Sequence, residues 1–146
     1  MTVQTNKPVV ALSRVRLDGG FTLLELMIVV AILAILASIA YASYRDQVVK
    51  SRRAAATTCL QERAQFMERY YTTNLSYTGA PATPEQCGPD LNPFYAISFS
   101  TAPAGKNYVL AAVPTSLQSD SKCGTLSLSA QGVRGKSGTG SLAECW

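Results

Sequence analysis

The chain has 146 residues, with 13 Lys and Arg, 9 Asp and Glu and no His, for a formal charge of +4. That length is one small domain. The missing His excludes His-based triads and most zinc sites, and a nearly neutral bulk is not a polycation built to neutralise a nucleic-acid backbone.

Residues 1–20 are polar and basic, with Lys7, Arg14, Arg16 and Asp18 and no hydrophobic period. An apolar run follows from Phe21, and the 19 residues from Leu26 to Tyr44 carry no charge. About 20 apolar residues cross a bilayer as a helix. No A-x-A site with a turn beside it follows the run, so it does not read as an ordinary secretory signal; the one Gly pair, Gly19-Gly20, lies before it. Glu25 is the anomaly. A carboxylate in hydrocarbon costs several kcal/mol unless paired, which makes it a functional-site candidate; the plainer reading is that it snorkels to the headgroups.

No Gly or Pro occurs from Phe21 to Thr78, which predicts one continuous helix to about Tyr71. Fifty residues of helix would span roughly 75 Å. Beyond Arg45 the helix must be amphipathic to pack on a globular head. Val48, Val49, Ala55, Ala56, Cys59, Leu60, Phe66, Met67 and Tyr70 recur at helical spacing. The run Lys50-Ser51-Arg52-Arg53 reads as a solvated face near the headgroups rather than as a nucleic-acid patch, and Tyr70-Tyr71 as packing against a sheet.

Residues 72–93 read as a loop, broken by Gly79, Pro81, Pro84, Gly88, Pro89 and Pro93. Alternation then predicts strands over Phe94–Ser100, Asn107–Val113 and Cys123–Ala130, with a turn at Ala102–Gly105 and a short fourth strand around Val133. Short connections argue an antiparallel meander, whose apolar face covers the amphipathic half of the helix. The fold class is α+β: a long N-terminal α-helix, membrane-spanning in its first half, packed on a C-terminal antiparallel β-sheet of three or four strands.

Cys59, Cys87, Cys123 and Cys145 all lie outside the apolar run. Four cysteines allow three pairings, and a small extracytoplasmic domain uses disulfides to stay folded. Cys123 with Cys145 is the favoured pair, because it closes the segment holding Gly132, Gly135, Gly138 and Gly140. Closing a loop of that size contributes roughly 3 kcal/mol in the chain-entropy account. Cys59 with Cys87 would then tie the helix to the loop. Without His or C-x-x-C, a zinc site is not expected.

Gly20-Phe21-Thr22-Leu23-Leu24-Glu25 and the apolar helix after it resemble the class III leader of type IV pilins and pseudopilins. The resemblance implies cleavage by a prepilin peptidase between Gly20 and Phe21, N-methylation of Phe21, and pairing of Glu25 with the N-terminal amine of a neighbouring subunit. Phe21, Thr22 and Glu25 are thus the assembly candidates. Family members often have a Gly and a Pro inside the helix where this chain has Ala34 and Ala42, and the 20-residue leader is long for the family. Arg45, Lys50, Arg52 and Arg53 beyond the span offset the leader's charges, so the positive-inside rule does not choose an orientation; the resemblance places the leader in the cytoplasm.

In the head, Ser51-Arg52-Arg53-Ala54, Glu68-Arg69-Tyr70-Tyr71, Cys123–Leu128, Gly132-Val133-Arg134-Gly135 and Glu144-Cys145-Trp146 are similar to the PilE-like group of these pilins. The resemblance implies the pilin fold and a C-terminal loop bounded by a disulfide over 123–145. It implies a leader over 1–20, a transmembrane and assembly segment over 21–44, and a periplasmic head over 45–146 with its loop at 72–93 and sheet at 94–130.

The function expected is a structural subunit of a bacterial type IV pilus, a minor one, serving assembly, adhesion or twitching motility. Its partners would be other pilins in a helical filament, the prepilin peptidase, the inner-membrane assembly platform and the membrane before assembly. It would sit in the inner membrane and then on the cell surface. A DNA-binding competence pilin is the first rival. Lys106, Lys122, Arg134 and Lys136 fall in turns and the C-terminal loop, where they could form one basic strip, although four contacts give only weak, salt-sensitive binding. A type II secretion pseudopilin is the second; Asp120 and Glu144 alone do not make a calcium cluster. No constellation of an enzyme is present in the sequence, and no cofactor or metal is expected.

Overall fold

The computed structural model describes residues 20–146. The leader charges at Lys7, Arg14, Arg16 and Asp18 lie outside the described residues. The chain divides into two compact units at Ile39 and Ala40.

The first helix, α1, covers Leu23–Asn74 and runs through both units. Thr22 starts it: its Oγ1 accepts the backbone N–H of Glu25 at 3.2 Å, the bond by which an N-cap residue satisfies a donor of the first turn. In the first unit the side chains from Leu23 to Ile39 are all exposed. The helix Leu23–Asn74 is long and apolar enough to cross a membrane by length and composition. The helix runs past Tyr71, where the sequence reading ends it, and stops at Leu75, which takes a left-handed φ of 54°.

In the second unit α1 buries Arg53, Ala56, Cys59, Leu60 and Met67. Arg53, Ala56, Leu60 and Met67 are spaced by three, four and seven residues, with Cys59 beside Leu60, and so line one face. Ala55 and Phe66, read in the sequence as part of that face, are exposed. Four antiparallel strands complete the head in the order β1-β2-β3-β4. They are β1 Tyr95–Ala104, β2 Asn107–Pro114, β3 Leu126–Ser129 and β4 Arg134–Lys136. The meander is the one the alternation predicts, with shifted ends. β1 continues through the expected turn at Ala102–Gly105, because Ala104 pairs with Asn107 and leaves a two-residue hairpin. Gly105 takes φ +55° there, which such a turn demands of one residue. β3 is shorter than Cys123–Ala130, since Cys123 to Thr125 turn to meet the C-terminal loop. A second helix, α2 Leu142–Cys145, closes the chain.

The inner face of the sheet presents Tyr95, Ile97, Tyr108, Leu110, Ala112, Leu126 and Leu128 to α1. Tyr95, Tyr108, Leu60, Leu110 and Leu126 are fully buried, each contributing roughly 1.5–3 kcal/mol. Tyr71 of the helix meets Tyr77 at 4.8 Å between centroids, and Tyr77 meets Tyr108 edge-on at 4.8 Å. The αβ-loop, residues 75–94, is pinned at both ends. Tyr77 N–H donates to the Gly105 carbonyl at 2.7 Å. Farther on, the Gln86 side-chain amide accepts the Ile97 N–H at 3.0 Å and donates to the Ile97 carbonyl at 2.8 Å.

Candidate assembly site

Gly20 to Glu25 hold the assembly candidates. Phe21 is 82% exposed and Glu25 is the third residue of α1, its only acid in the first turn. A carboxylate at that position faces the positive end of the helix dipole. The surrounding surface is Leu23, Leu24, Leu26 and Met27, each at least 60% exposed. In an apolar medium such a carboxylate has no water to solvate it, so a cation brought to it gains strongly.

The head holds a second polar cluster, which the sequence reading missed. Arg53 grips Asp120 through two bonds, Nε to Oδ2 at 2.7 Å and Nη2 to Oδ1 at 2.8 Å. Its Nη1 donates to the Glu144 carbonyl at 3.2 Å. The Tyr95 hydroxyl donates to Asp120 at 2.9 Å, and the Cys123 N–H at 3.2 Å. The cluster joins α1, β1, the loop before Cys123 and the C-terminal loop. Burial opposes the Asp120 charge, but the bonds from Arg53, Tyr95 and Cys123 outweigh it and hold the carboxyl below its usual range. The bond to Asp120 raises Arg53 in turn. Burial pushes the Tyr95 hydroxyl up to about 12. The solvated reading of Lys50-Ser51-Arg52-Arg53 is therefore corrected: Arg53 is 6% exposed, and the Arg52 guanidinium stacks on Phe94 at 3.4 Å.

The four cations proposed as a strip are dispersed. Lys106 stands in the β1–β2 turn. Arg134 pairs in register with Leu128, toward the same end of the sheet, and its guanidinium lies 5.3 Å from the Trp146 ring. Lys136 pairs with Leu126, toward the other end, and donates to the Gly138 carbonyl at 2.7 Å. Lys122 is in an ion pair with Glu144 at 2.8 Å, which pulls Glu144 down to about 2. Cys59 is bonded to Cys87 and Cys123 to Cys145, with Cα separations of 6.0 and 5.5 Å. The Cys123–Cys145 loop is packed tightly: a Cβ on Gly138 would collide with the Lys122 carbonyl.

Two family models match. One, described as the prokaryotic N-terminal methylation motif, covers residues 16–41. The other, described as "type IV minor pilin ComP, DNA uptake sequence receptor", covers residues 42–127, more than half of the chain. The chain belongs to the type IV pilin family. A fimbrial protein of Eikenella corrodens, EcpC, is 40% identical over 57 residues, 39% of this chain and 37% of that one. A fimbrial protein of Neisseria meningitidis is 35% identical over 63 residues, 43% of this chain and 37% of that one. The type IV wide pilus major component PilA4 of Thermus thermophilus is 34% identical over 88 residues, 60% of this chain and 66% of that one. The match thus spans little more than a third of the first two relatives. Among solved structures, a type IV pilin from Shewanella oneidensis is 36% identical with a TM-score of 0.52, over 67% of this chain and 97% of that one. The non-core minor pilin PilV of Neisseria meningitidis shares the fold alone, at 22% identity and a TM-score of 0.53, over 65% of this chain and 92% of that one.

Proposed function

We propose that this pilin is a minor subunit of a bacterial type IV pilus, with no catalytic role. The observation that carries the reading is the methylation motif and the minor-pilin model lying end to end on one chain. Prepilin peptidase would cut after Gly20, and the freed Phe21 amine would be methylated. The segment from Phe21 to Tyr44 would hold the subunit in the inner membrane with its N-terminus cytoplasmic and its head in the periplasm, where disulfides form. The assembly platform would then draw it into the filament, where Glu25 meets the Phe21 amine of a neighbour. Each group removes the other's desolvation cost, which sets register between subunits.

Mass spectrometry of sheared surface filaments tests this. A chain beginning at N-methylated Phe21, at a small fraction of the most abundant pilin, is the expected result. Dominance would make it the major subunit. Absence from filaments, with processed chain in the membrane, would overturn the reading in favour of a pseudopilin. Against the pseudopilin stands the engagement of both tail carboxylates: Asp120 is held by Arg53 and Glu144 by Lys122.

A second reading, DNA reception, is favoured by the similarity of residues 42–127 to the DNA uptake sequence receptor family. Lys106 and Arg134 lie toward one end of the sheet as its candidate contacts. It ranks second because Lys122 is neutralised and Lys136 lies toward the opposite end. Two phosphate contacts would give only weak binding that falls with salt. A gel shift of the processed chain at low and moderate salt decides: no shift at low salt removes DNA binding.

A further inference from the structure

The head contains a cavity of about 290 Å³ that plays no part in the assembly reading. Its walls are Phe66 and Met67 of α1, Pro81 and Pro84 of the αβ-loop, and Phe99 and Leu110 of the sheet. Arg63 and Glu85 line it too, joined by an ion pair at 2.7 Å. That pair uses Nη1 of Arg63; the Nε of the same guanidinium is buried and donates to no acceptor among the described residues. A buried donor left unpaired costs about 1–3 kcal/mol.

The cavity lies at the free edge of β1. The αβ-loop is fixed to Gly105 through residues 76–78 and to Ile97 through Gln86, so residues 79–85 run beside this edge. They do not complete the sheet, because Pro81 and Pro84 have no N–H to give. Gln86 shows what the edge accepts. Its amide bonds both the N–H and the C=O of Ile97, so Ile97 points its backbone away from β2. Outward and inward pairs alternate along an antiparallel strand. Ser98 therefore faces β2, and Phe99, opposite Leu110, points its N–H and C=O outward again, before the register shift toward Thr101. No described residue bonds those two groups of Phe99 from the loop side.

We propose that this edge and cavity form a docking notch for an extended peptide segment of a partner polypeptide. One residue of the segment exchanges both backbone hydrogen bonds with Phe99, as in strand addition. A residue paired in this way puts its side chain on the same face as that of Phe99, which here is the cavity side. A neighbouring carbonyl of the segment accepts from Arg63 Nε. The polar demand is thus two donors and one acceptor on the protein, which a peptide answers with two carbonyls and one N–H. The volume sits below the roughly 300 Å³ at which pockets for drug-sized ligands begin, and suits one bulky apolar side chain. The inference rests on the head alone and holds whether or not the chain is a minor pilin.

The test is an NMR titration of the full processed chain in detergent micelles with the capped tripeptide acetyl-Thr-Phe-Val-amide. Saturable shifts confined to the Phe99 amide, Arg63 Nε–H and Leu110 are expected. Two control peptides read the two halves of the notch. Methylating the Phe nitrogen removes the paired donor and should weaken binding about five- to tenfold; replacing Phe by Ala removes the side chain from the cavity and should weaken it at least as much. Thr83→Trp, which fills the cavity mouth from an exposed loop position, should abolish the shifts. Equal binding by the N-methylated peptide, shifts that follow the apolar helix from Leu23 to Ile39, or no saturable shift at millimolar peptide would each overturn the proposal. The peptide controls need no variant, so a misfolded Thr83→Trp leaves the test intact.

Discussion

Arg53 stands one residue from Arg52 in the same basic run, yet the two side chains have opposite fates. Arg52 lies over Phe94, while Arg53 is buried against Asp120. Replacing Arg53 by Met leaves a buried carboxylate without its cation, a loss of about 3–5 kcal/mol. Urea unfolding followed by the fluorescence of Trp146, the chain's single tryptophan, reads it directly. The pH dependence separates this from a simple packing defect. In the parent chain Asp120 is held below its usual range, so its stabilisation is complete above the unfolded carboxylate value of about 4 and is lost as pH falls below that. Glu144, drawn down by Lys122, acts in the same direction. In Arg53→Met, burial dominates and raises Asp120 instead, so stability should rise as pH falls from neutrality toward about 5. A variant that loses stability on mild acidification, as the parent does at lower pH, would refute the assigned charge balance. Just past the C-terminal end of the helix, Leu75 is 74% exposed at φ 54°. Leu75→Gly relieves the left-handed strain and should stabilise the head by about 0.5–1 kcal/mol, seen as a higher melting temperature. Neither residue's role was legible in the sequence. The partner of Arg53 is 67 positions away, and a local reading of a charge run has no access to a contact of that range.

Gln86 and the C-terminal loop carry the same lesson to the scale of elements. Helix and strands were legible because each has a period: an unbroken run without Gly or Pro for α1, and alternation for β1 and β2. Their ends were not, because ends are settled by pairing. β1 reaches Ala104 only because β2 is there to pair with it, and β3 is cut short because Lys122 and Cys123 give their carbonyls to Gly140 and Gly138. The edge cap at Ile97 belongs to a loop side chain 11 residues away, invisible to any period. Gln86→Leu removes both of its bonds to Ile97 and should cost about 1–2 kcal/mol. Hydrogen exchange at the Ile97 amide should speed up in that variant, and unchanged protection would show that another group caps the edge. Cys145→Ser opens the loop that Cys123 closes. The expected cost is roughly 3 kcal/mol. It should be accompanied by solvent exposure of Trp146, whose Nε1–H donates to the Gly135 carbonyl at 2.9 Å.

For the whole molecule, the two units answer different solvents. Among the described residues, those from Gly20 to Ile39 are all exposed, whereas those from Ala40 onward include the buried core. A subunit built this way satisfies its apolar helix only in lipid or against other helices. Glu25 is the residue whose chemistry distinguishes those two states. In the bilayer a carboxylate near the helix start can reach the headgroups; inside a bundle of apolar helices it needs a cation. Glu25→Ala should therefore leave the membrane pool of processed chain unchanged while lowering the amount recovered in sheared filaments by about tenfold or more, the scale of one lost charge pair. Glu25→Gln separates charge from shape. It keeps a hydrogen-bonding side chain of equal size, so a variant that assembles as poorly as Glu25→Ala assigns the effect to the negative charge. Normal recovery of Glu25→Gln would mean that a neutral hydrogen bond suffices, and normal recovery of Glu25→Ala would remove the pairing with Phe21 altogether. Thr22→Val completes the set. It breaks the N-cap to the Glu25 N–H, should fray the first turn, and should lower recovery by less than either Glu25 variant, since it changes where the carboxylate stands without removing its charge.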